Sequence, residues 1–269
     1  MHWQAATTTI LNTLVQQPRL GLITDIDGTI SPIVAVPDAA FVTPRNLELL
    51  QALQPHLALT AVISGRTVTD TQKMVNLPGL VYIGNHGIEW WSNGQATIAP
   101  EVISYRPTLE AALKDIEPHL LPGMLLEDKG VTLSVHYRLT EQPDSVEDSF
   151  APILQYIATQ HGLSLFLGRR VFELRPPVQV NKGSALYTLV TQHHLDGAIY
   201  LGDDTTDVDA LRMARRLREE LTCYALGVGV ESEHMPAALR ETADLLVSGV
   251  QDVEAFLTWL LKARIASST

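Results

Sequence analysis

Short uninterrupted apolar runs recur in the first and last thirds of the chain, each followed by a polar or glycine-containing turn. Residues 20–24, 57–63, 80–83, 198–201, 222–228 and 244–247 are of this kind. They do not alternate apolar with polar positions, so each predicts a strand buried on both faces. Helical spacing separates several of them. Leu47, Leu50 and Leu53 fall on one side of a helix predicted over 43–53. Further helices are predicted over 183–193, 208–221 and 251–263, and a short amphipathic one carries Ile10, Leu11, Leu14 and Val15. Buried strands alternating with helices imply an α/β fold with a parallel sheet covered on both faces.

The middle of the chain has a different rhythm. A helix is predicted over 107–117, then a hairpin from 124–128 and 131–138 turning near Lys129-Gly130. A second helix over 145–160 precedes a second hairpin, 163–167 with 171–175, around Gly168. This helix-strand-strand-helix-strand-strand order predicts a small antiparallel sheet with helices on one face. Within 131–138, Val131, Leu133, Val135 and Tyr137 point one way, and Thr132, Ser134, His136 and Arg138 the other. One face can pack while the other offers hydrogen-bonding groups. The chain therefore divides into a core built from 1–105 and 180–269 and an α/β insert over 106–179.

Charge and composition narrow the function. With 30 acidic and 19 basic residues the formal net charge is −11, which argues against a nucleic-acid partner. It leaves room for a small anionic substrate at a locally positive site. The single cysteine, Cys223, excludes a disulfide within the chain and a cysteine-based zinc site. No basic segment followed by an apolar core opens the chain, and no uncharged run reaches membrane length. The expectation is a cytoplasmic protein with no membrane or nucleic-acid partner. No long heptad pattern appears, so a monomer is expected.

Chemistry concentrates where the apolar runs end. Asp25-Ile26-Asp27-Gly28-Thr29 follows the first of them. In open α/β sheets ligands bind outside the carboxyl ends of the strands. Two acids at i and i+2 leave such an end side by side, and Gly28 permits a sharp turn. Neighbouring carboxylates repel unless a cation intervenes, so the pair suits a hard metal ion, one acid serving as nucleophile and the other as proton donor. Gly202-Asp203-Asp204-Thr205-Thr206-Asp207-Val208-Asp209 repeats the pattern at another run's end. Thr206 or Asp207 is placed to cap the helix that follows, which leaves Asp203 and Asp204 to be explained otherwise. Ser64-Gly65-Arg66 brings a hydroxyl and backbone N–H groups to a third end, a cradle for phosphate. Asn181-Lys182-Gly183 opens a helix with a lysine that can neutralise a phosphate. Competing signatures fail: Gly227-Val228-Gly229 has Ser232 where a dinucleotide fingerprint needs its third glycine, and no Walker-type loop is present. Trp90-Trp91 reads as packing, and His193-His194 as solvent-facing.

In this order the four elements resemble the haloacid dehalogenase superfamily of phosphohydrolases. Gly84-Asn85-His86-Gly87-Ile88-Glu89, Glu127-Asp128-Lys129-Gly130, His136-Tyr137-Arg138 and Glu173-Leu174-Arg175-Pro176 bring the chain closer to the trehalose-6-phosphate phosphatase family within it. The likeness extends from about residue 20 to 260. It implies a Rossmann-like core, a mobile cap inserted after the second motif, and Mg²⁺. Asp25 would attack phosphorus and form an aspartyl-phosphate, and Asp27 would protonate the leaving sugar oxygen and then activate water. Asp25, Asp27 through its backbone carbonyl, and Asp203 would hold the metal, with Asp204 and Asp207 in support. Thr29, Ser64, Gly65 and Lys182 would receive the phosphoryl group. Arg66, Asn85 and His86 would meet the substrate from the core, and Glu127, Lys129, His136, Arg138 and Glu173 would grip sugar hydroxyls from the cap. Val208 and Leu211 depart from the family pattern, which commonly has an acid and an aromatic there. The expected activity is hydrolysis of trehalose 6-phosphate. Other glycosyl phosphates, such as sucrose phosphate or glucosylglycerol phosphate, and a catalytically silent sugar-phosphate-binding subunit are the alternatives.

Overall fold

The structure is a computed structural model and describes residues 1–267 apart from 35, 37 and 38. From α1 (Ile10–Val15) the chain enters β1 (Leu20–Thr24), then α2 (Pro44–Leu53), β2 (Leu59–Ile63), α3 (Val68–Val75) and β3 (Val81–Gly84). Two short strands follow, β4 (Glu89–Ser92) and β5 (Gln95–Ile98). The middle supplies α4 (Pro100–Ile103), α5 (Arg106–Ile116), β6 (Leu125–Asp128), β7 (Leu133–His136), α6 (Pro143–Gln160), β8 (Ser164–Gly168) and β9 (Val171–Arg175). The remainder runs α7 (Lys182–Gln192), β10 (Gly197–Gly202), α8 (Val208–Glu219), β11 (Tyr224–Val230), α9 (Ala237–Thr242), β12 (Leu245–Val247) and α10 (Val250–Ser267). Two compact units result, one from 1–96 with 180–269 and one from 97–179. The first junction lies ahead of the expected one after residue 105, and Tyr105 packs on the apolar cluster of the second unit.

In the first unit an eight-stranded sheet has the order β12-β11-β10-β1-β2-β3-β4-β5. Every pair from β12 to β3 is parallel. Successive residues of β1 serve opposite faces, as strand geometry requires. Leu22 joins one apolar cluster with α1, α2, α3 and α10, while Ile23 joins another with α7, α8 and α9. Local chemistry fixes the helix starts. The Thr43 hydroxyl accepts the Asn46 amide and Pro44 opens α2, while Asn181 and Ser184 form a reciprocal capping box at α7. β4 departs from the expected parallel pattern. It runs antiparallel to β3, with Trp91 opposite Tyr82 and Trp90 opposite Ile83. Only half-buried, β4 lacks the continuous burial that marks the inner strands.

The second unit carries a four-stranded antiparallel sheet in the order β6-β7-β9-β8. Leu133, Val135, Phe172 and Leu174 turn one face toward Leu109, Ala112 and Ile116 of α5 and Phe150, Leu154 and Ile157 of α6. Tyr137 stacks on Phe172 with ring centroids 4.6 Å apart. On the opposite face the register lines up Glu127, Ser134, Glu173 and Phe166 across all four strands. Among the described residues no helix is long and apolar enough to cross a membrane.

Candidate active site

Parallel strands all end on one edge of their sheet, and there the first unit collects its chemistry. Asp25 follows β1, Ser64 follows β2, Asn85 follows β3 and Asp203 follows β10, while Lys182 is the first residue of α7. The Asp25 amide donates to the Leu201 carbonyl at 2.9 Å, which locks the strand end in register with β10. Asp25, Lys182, Asp203 and Asp207 are all nearly inaccessible to solvent.

Lys182 ties the cluster together. Its Nζ donates to Asp25 Oδ1 and to Asp207 Oδ1, both at 2.7 Å. Asp207 Oδ1 also accepts the Tyr200 hydroxyl at 2.5 Å, and its Oδ2 accepts the backbone N–H groups of Asp203 and Asp204 at 3.1 and 2.9 Å. Asp207 thus staples the loop after β10 to α7. The expected cap of α8 by Thr206 or Asp207 is not formed: Asp204 instead caps the short 3₁₀ turn Thr205–Asp207 that leads into α8. The turn intervenes because Asp207 is already committed to the loop behind it.

The electrostatics are those of a site short of positive charge. Asp25, Asp203 and Asp207 each offer an oxygen within 4.8 Å of the others, and Lys182 is the ammonium bonded among them. Burial pushes Asp25 up to about 8 against the pull of Lys182, with Asp207 and Asp27 adding repulsion. Asp203 is driven well above the usual carboxylate range, first by burial and then by the charges of Asp25, Asp207 and Asp204. For Lys182 burial works against the charge, but Asp207 and Asp25 outweigh it and hold the ammonium above its ordinary value. An all-oxygen donor set of buried carboxylates fits a hard divalent cation, which relieves the same repulsion. The turn is shaped for it: Gly28 has φ +88°, and a Cβ there would lie 2.0 Å from Asp203 Oδ2. Only glycine lets that carboxylate approach the turn after β1.

Asp27 is engaged elsewhere. Arg66 donates from Nε to Oδ2 at 2.6 Å and from Nη2 to Oδ1 at 2.9 Å. This bidentate pair spans the ends of β1 and β2. Thr29 is fully buried, and its Oγ1 makes no hydrogen bond with the described residues. The phosphate cradle expected at Ser64-Gly65-Arg66 is partly consumed internally. The Ser64 amide donates to the Ile83 carbonyl, and the Arg66 amide to Ser64 Oγ. The adjoining turn packs on the same loop: Asn85 and His86 adopt φ +46° and +58°, and their amides donate to the Arg66 and Ser64 carbonyls. Such left-handed conformations are held only where surrounding contacts over-determine them. The His86 ring lies where a Cβ on Gly65 would be, at 2.6 Å.

The polar face of the second unit holds most of the remaining expected residues. His136 Nε2 lies 2.8 Å from Glu127 Oε2. Glu173 Oε1 accepts Lys129 Nζ at 3.1 Å and Ser134 Oγ at 3.3 Å, and its Oε2 accepts Arg175 Nε at 2.8 Å. Arg138 instead donates to the Arg169 carbonyl at 3.1 Å. Sequence reasoning placed Ser134 on the hydrogen-bonding face, as its bond to Glu173 bears out, but did not single out Tyr200 or Arg175 as members of these networks. Tyr200 was hidden inside an apolar run. Arg175 shares a strand parity with Glu173, and that parity is the signal that points to it. Val208 and Leu211, the departures from the family pattern, are buried in the apolar cluster beneath α8, and Leu211 fills the space that a Cβ on Gly227 would take.

Comparison with known proteins identifies the family and the fold. A family profile described as trehalose-phosphatase matches residues 23–244. A trehalose-phosphate phosphatase of Mycobacterium tuberculosis (strain ATCC 25618 / H37Rv) is 36% identical over 197 residues, covering 69% of this chain and 49% of that protein. The chain thus spans about half the length of its mycobacterial relative. The probable trehalose-phosphate phosphatase 3 of Oryza sativa subsp. japonica is 31% identical over 265 residues, covering 90% of this chain and 69% of that protein. Among solved structures, the C-terminal domain of trehalose-6-phosphate phosphatase from C. albicans superposes with a TM-score of 0.77 at 22% identity, covering 94% and 95% of the two chains.

Proposed function

The chain belongs to the trehalose-phosphatase family, and from that premise we propose that it hydrolyses trehalose 6-phosphate to trehalose and phosphate, as the last step of a trehalose biosynthesis. The observation that carries this reading is the buried set in which Lys182 bridges Asp25 and Asp207 beside Asp203. An intact set of this kind favours hydrolysis over a catalytically silent sugar-phosphate-binding subunit.

Asp25 acts as nucleophile. One of its oxygens bonds to phosphorus as the bond from phosphorus to the sugar oxygen breaks, giving an aspartyl-phosphate. Asp27 delivers a proton to the departing oxygen, then accepts one from the water that attacks phosphorus and releases Asp25. Both Asp27 oxygens accept from Arg66 in the structure, so Arg66 turns toward the incoming phosphate when Asp27 is needed. Lys182 holds Asp25 in place and neutralises charge on the transferring group. Mg²⁺ held by Asp25, Asp203 and the Asp27 carbonyl, with Asp204 and Asp207 in support, would screen the phosphate's charge from the nucleophile. Ser64, Gly65, Thr29, Asn85 and His86 complete the phosphoryl side, while Glu127, Lys129, His136, Arg138 and Glu173 recognise the sugar.

The test is phosphate release by the purified chain with Mg²⁺, comparing trehalose 6-phosphate, sucrose phosphate, glucosylglycerol phosphate, glucose 6-phosphate and p-nitrophenyl phosphate. The expected result is a kcat/KM for trehalose 6-phosphate at least about tenfold above every other ester. A clear preference for the monosaccharide phosphate would overturn the assignment.

A further inference from the structure

Phe166 stands on the polar face of the second unit's sheet, not in its apolar core. It lies in β8 directly across from Glu173 of β9, in the row that also holds Ser134 and Glu127. It is 44% exposed, and the apolar cluster formed by Leu133, Phe172 and their neighbours lies on the opposite face. The Arg175 guanidinium sits 4.5 Å from its ring centroid. Arg175 is itself buried and doubly hydrogen-bonded to Glu173, so one side of the ring rests on a fixed plane. The result is an aromatic surface of set orientation, beside a carboxylate whose other oxygen is tied to Lys129 and Ser134.

We propose that Phe166 is a specificity-determining residue, the platform on which a pyranose ring of the substrate stacks, with Glu173 and Lys129 reading hydroxyls at the ring's edge. The proposal rests on the sugar-phosphate reading above. A glucopyranosyl ring carries axial C–H groups on both faces and hydroxyls around its rim. It therefore matches an apolar plane bordered by charged donors and acceptors. Arg175 is the positioning residue: its stack on the ring and its bonds to Glu173 keep platform and rim in one geometry. A lone exposed phenylalanine is unremarkable on a protein surface. The guanidinium beneath it and the carboxylate network beside it distinguish this one.

The experiment measures kcat/KM of the full chain with Mg²⁺ for each sugar phosphate relative to p-nitrophenyl phosphate, which has no pyranose. Phe166→Leu keeps apolar bulk without a flat face and should lower the ratio about tenfold, through KM rather than kcat. Phe166→Tyr restores the plane and should keep the ratio within about threefold of the parent. Arg175→Lys removes the flat support and should weaken the preference by about threefold to tenfold. A wild-type ratio in Phe166→Leu overturns the platform while leaving trehalose 6-phosphate hydrolysis standing. If the parent prefers a different glycosyl phosphate and Phe166→Leu loses that preference, the platform stands and the assigned substrate falls. A parent that favours no sugar phosphate over p-nitrophenyl phosphate overturns both.

Discussion

In the first unit one ammonium, Lys182, is bonded among three buried carboxylates. In the second, Glu173 is met by both Lys129 and Arg175, and Glu127 by His136. The first arrangement gathers more acids than bases where water cannot reach them, and burial holds Asp25 and Asp203 far above the ordinary carboxylate range. The second is charge-matched within itself. A deficit of positive charge invites a cation and, with it, an anionic substrate. A self-neutralised face suits an uncharged polyol, which needs oriented donors and acceptors and no net field.

The largest break in this contrast comes at Asp25, the proposed nucleophile. Asp25→Asn should lower phosphate release at least about 10³-fold, because an amide cannot attack phosphorus. Thermal unfolding should move by only a few degrees, since the residue it replaces is already strained toward its neutral form. A variant that retains turnover would remove Asp25 from the reaction.

Removing the bridging charge attacks the fold as well. Lys182→Met leaves Asp25 and Asp207 buried without their shared partner and should cost about 3–5 kcal/mol in denaturant unfolding. A loss below about 1 kcal/mol would show that the surrounding loop does not depend on the bridge.

Titration without metal sharpens the same point. A carboxyl whose folded value is raised binds its proton more tightly in the folded chain than in the unfolded one. Its contribution to stability is therefore complete below the ordinary value of 3.8 and is lost as pH climbs through about 8. With EDTA present, the unfolding temperature should fall between about pH 5 and pH 8, and Mg²⁺ should shrink that fall. A flat profile in EDTA would mean the acids do not carry the strain that burial imposes.

The smallest effect belongs to the charge-matched face. Glu173→Gln keeps size but loses the charge and one of the two accepting oxygens that meet Lys129 and Arg175, and should raise KM for the sugar phosphate about threefold to tenfold with kcat nearly constant. Equal losses in both constants would place Glu173 in the chemical step instead.

The α/β class and the strand-end motifs were legible because both leave one-dimensional signatures. Runs such as 198–201 are apolar on both faces, Asp25 and Ser64 directly follow such a run, and Asp203 follows one after Gly202. The antiparallel β4 was not, since its pairing with β3 depends on tertiary context and its half-buried residues form no apolar run. Charge partners were the least legible part. Nothing local marks that Arg66 reaches Asp27, that Tyr200 reaches Asp207, or that Arg138 turns back to Arg169. Those choices are made by strand order and loop conformation, which bring distant positions within hydrogen-bond reach.

β1 lies between β2 and β10, and the bond from Lys182 to Asp25 joins residues 157 positions apart. The central strand of the sheet therefore waits for one neighbour until the whole insert has been synthesised. Contacts of such sequence separation carry a loop-closure cost before they return any stability, which slows folding. A nascent chain that has emerged only through the insert exposes an unpaired edge of β1 and displays Asp25 without its lysine. Completion of the sheet and the pairing of Asp25 with Lys182 are therefore one event.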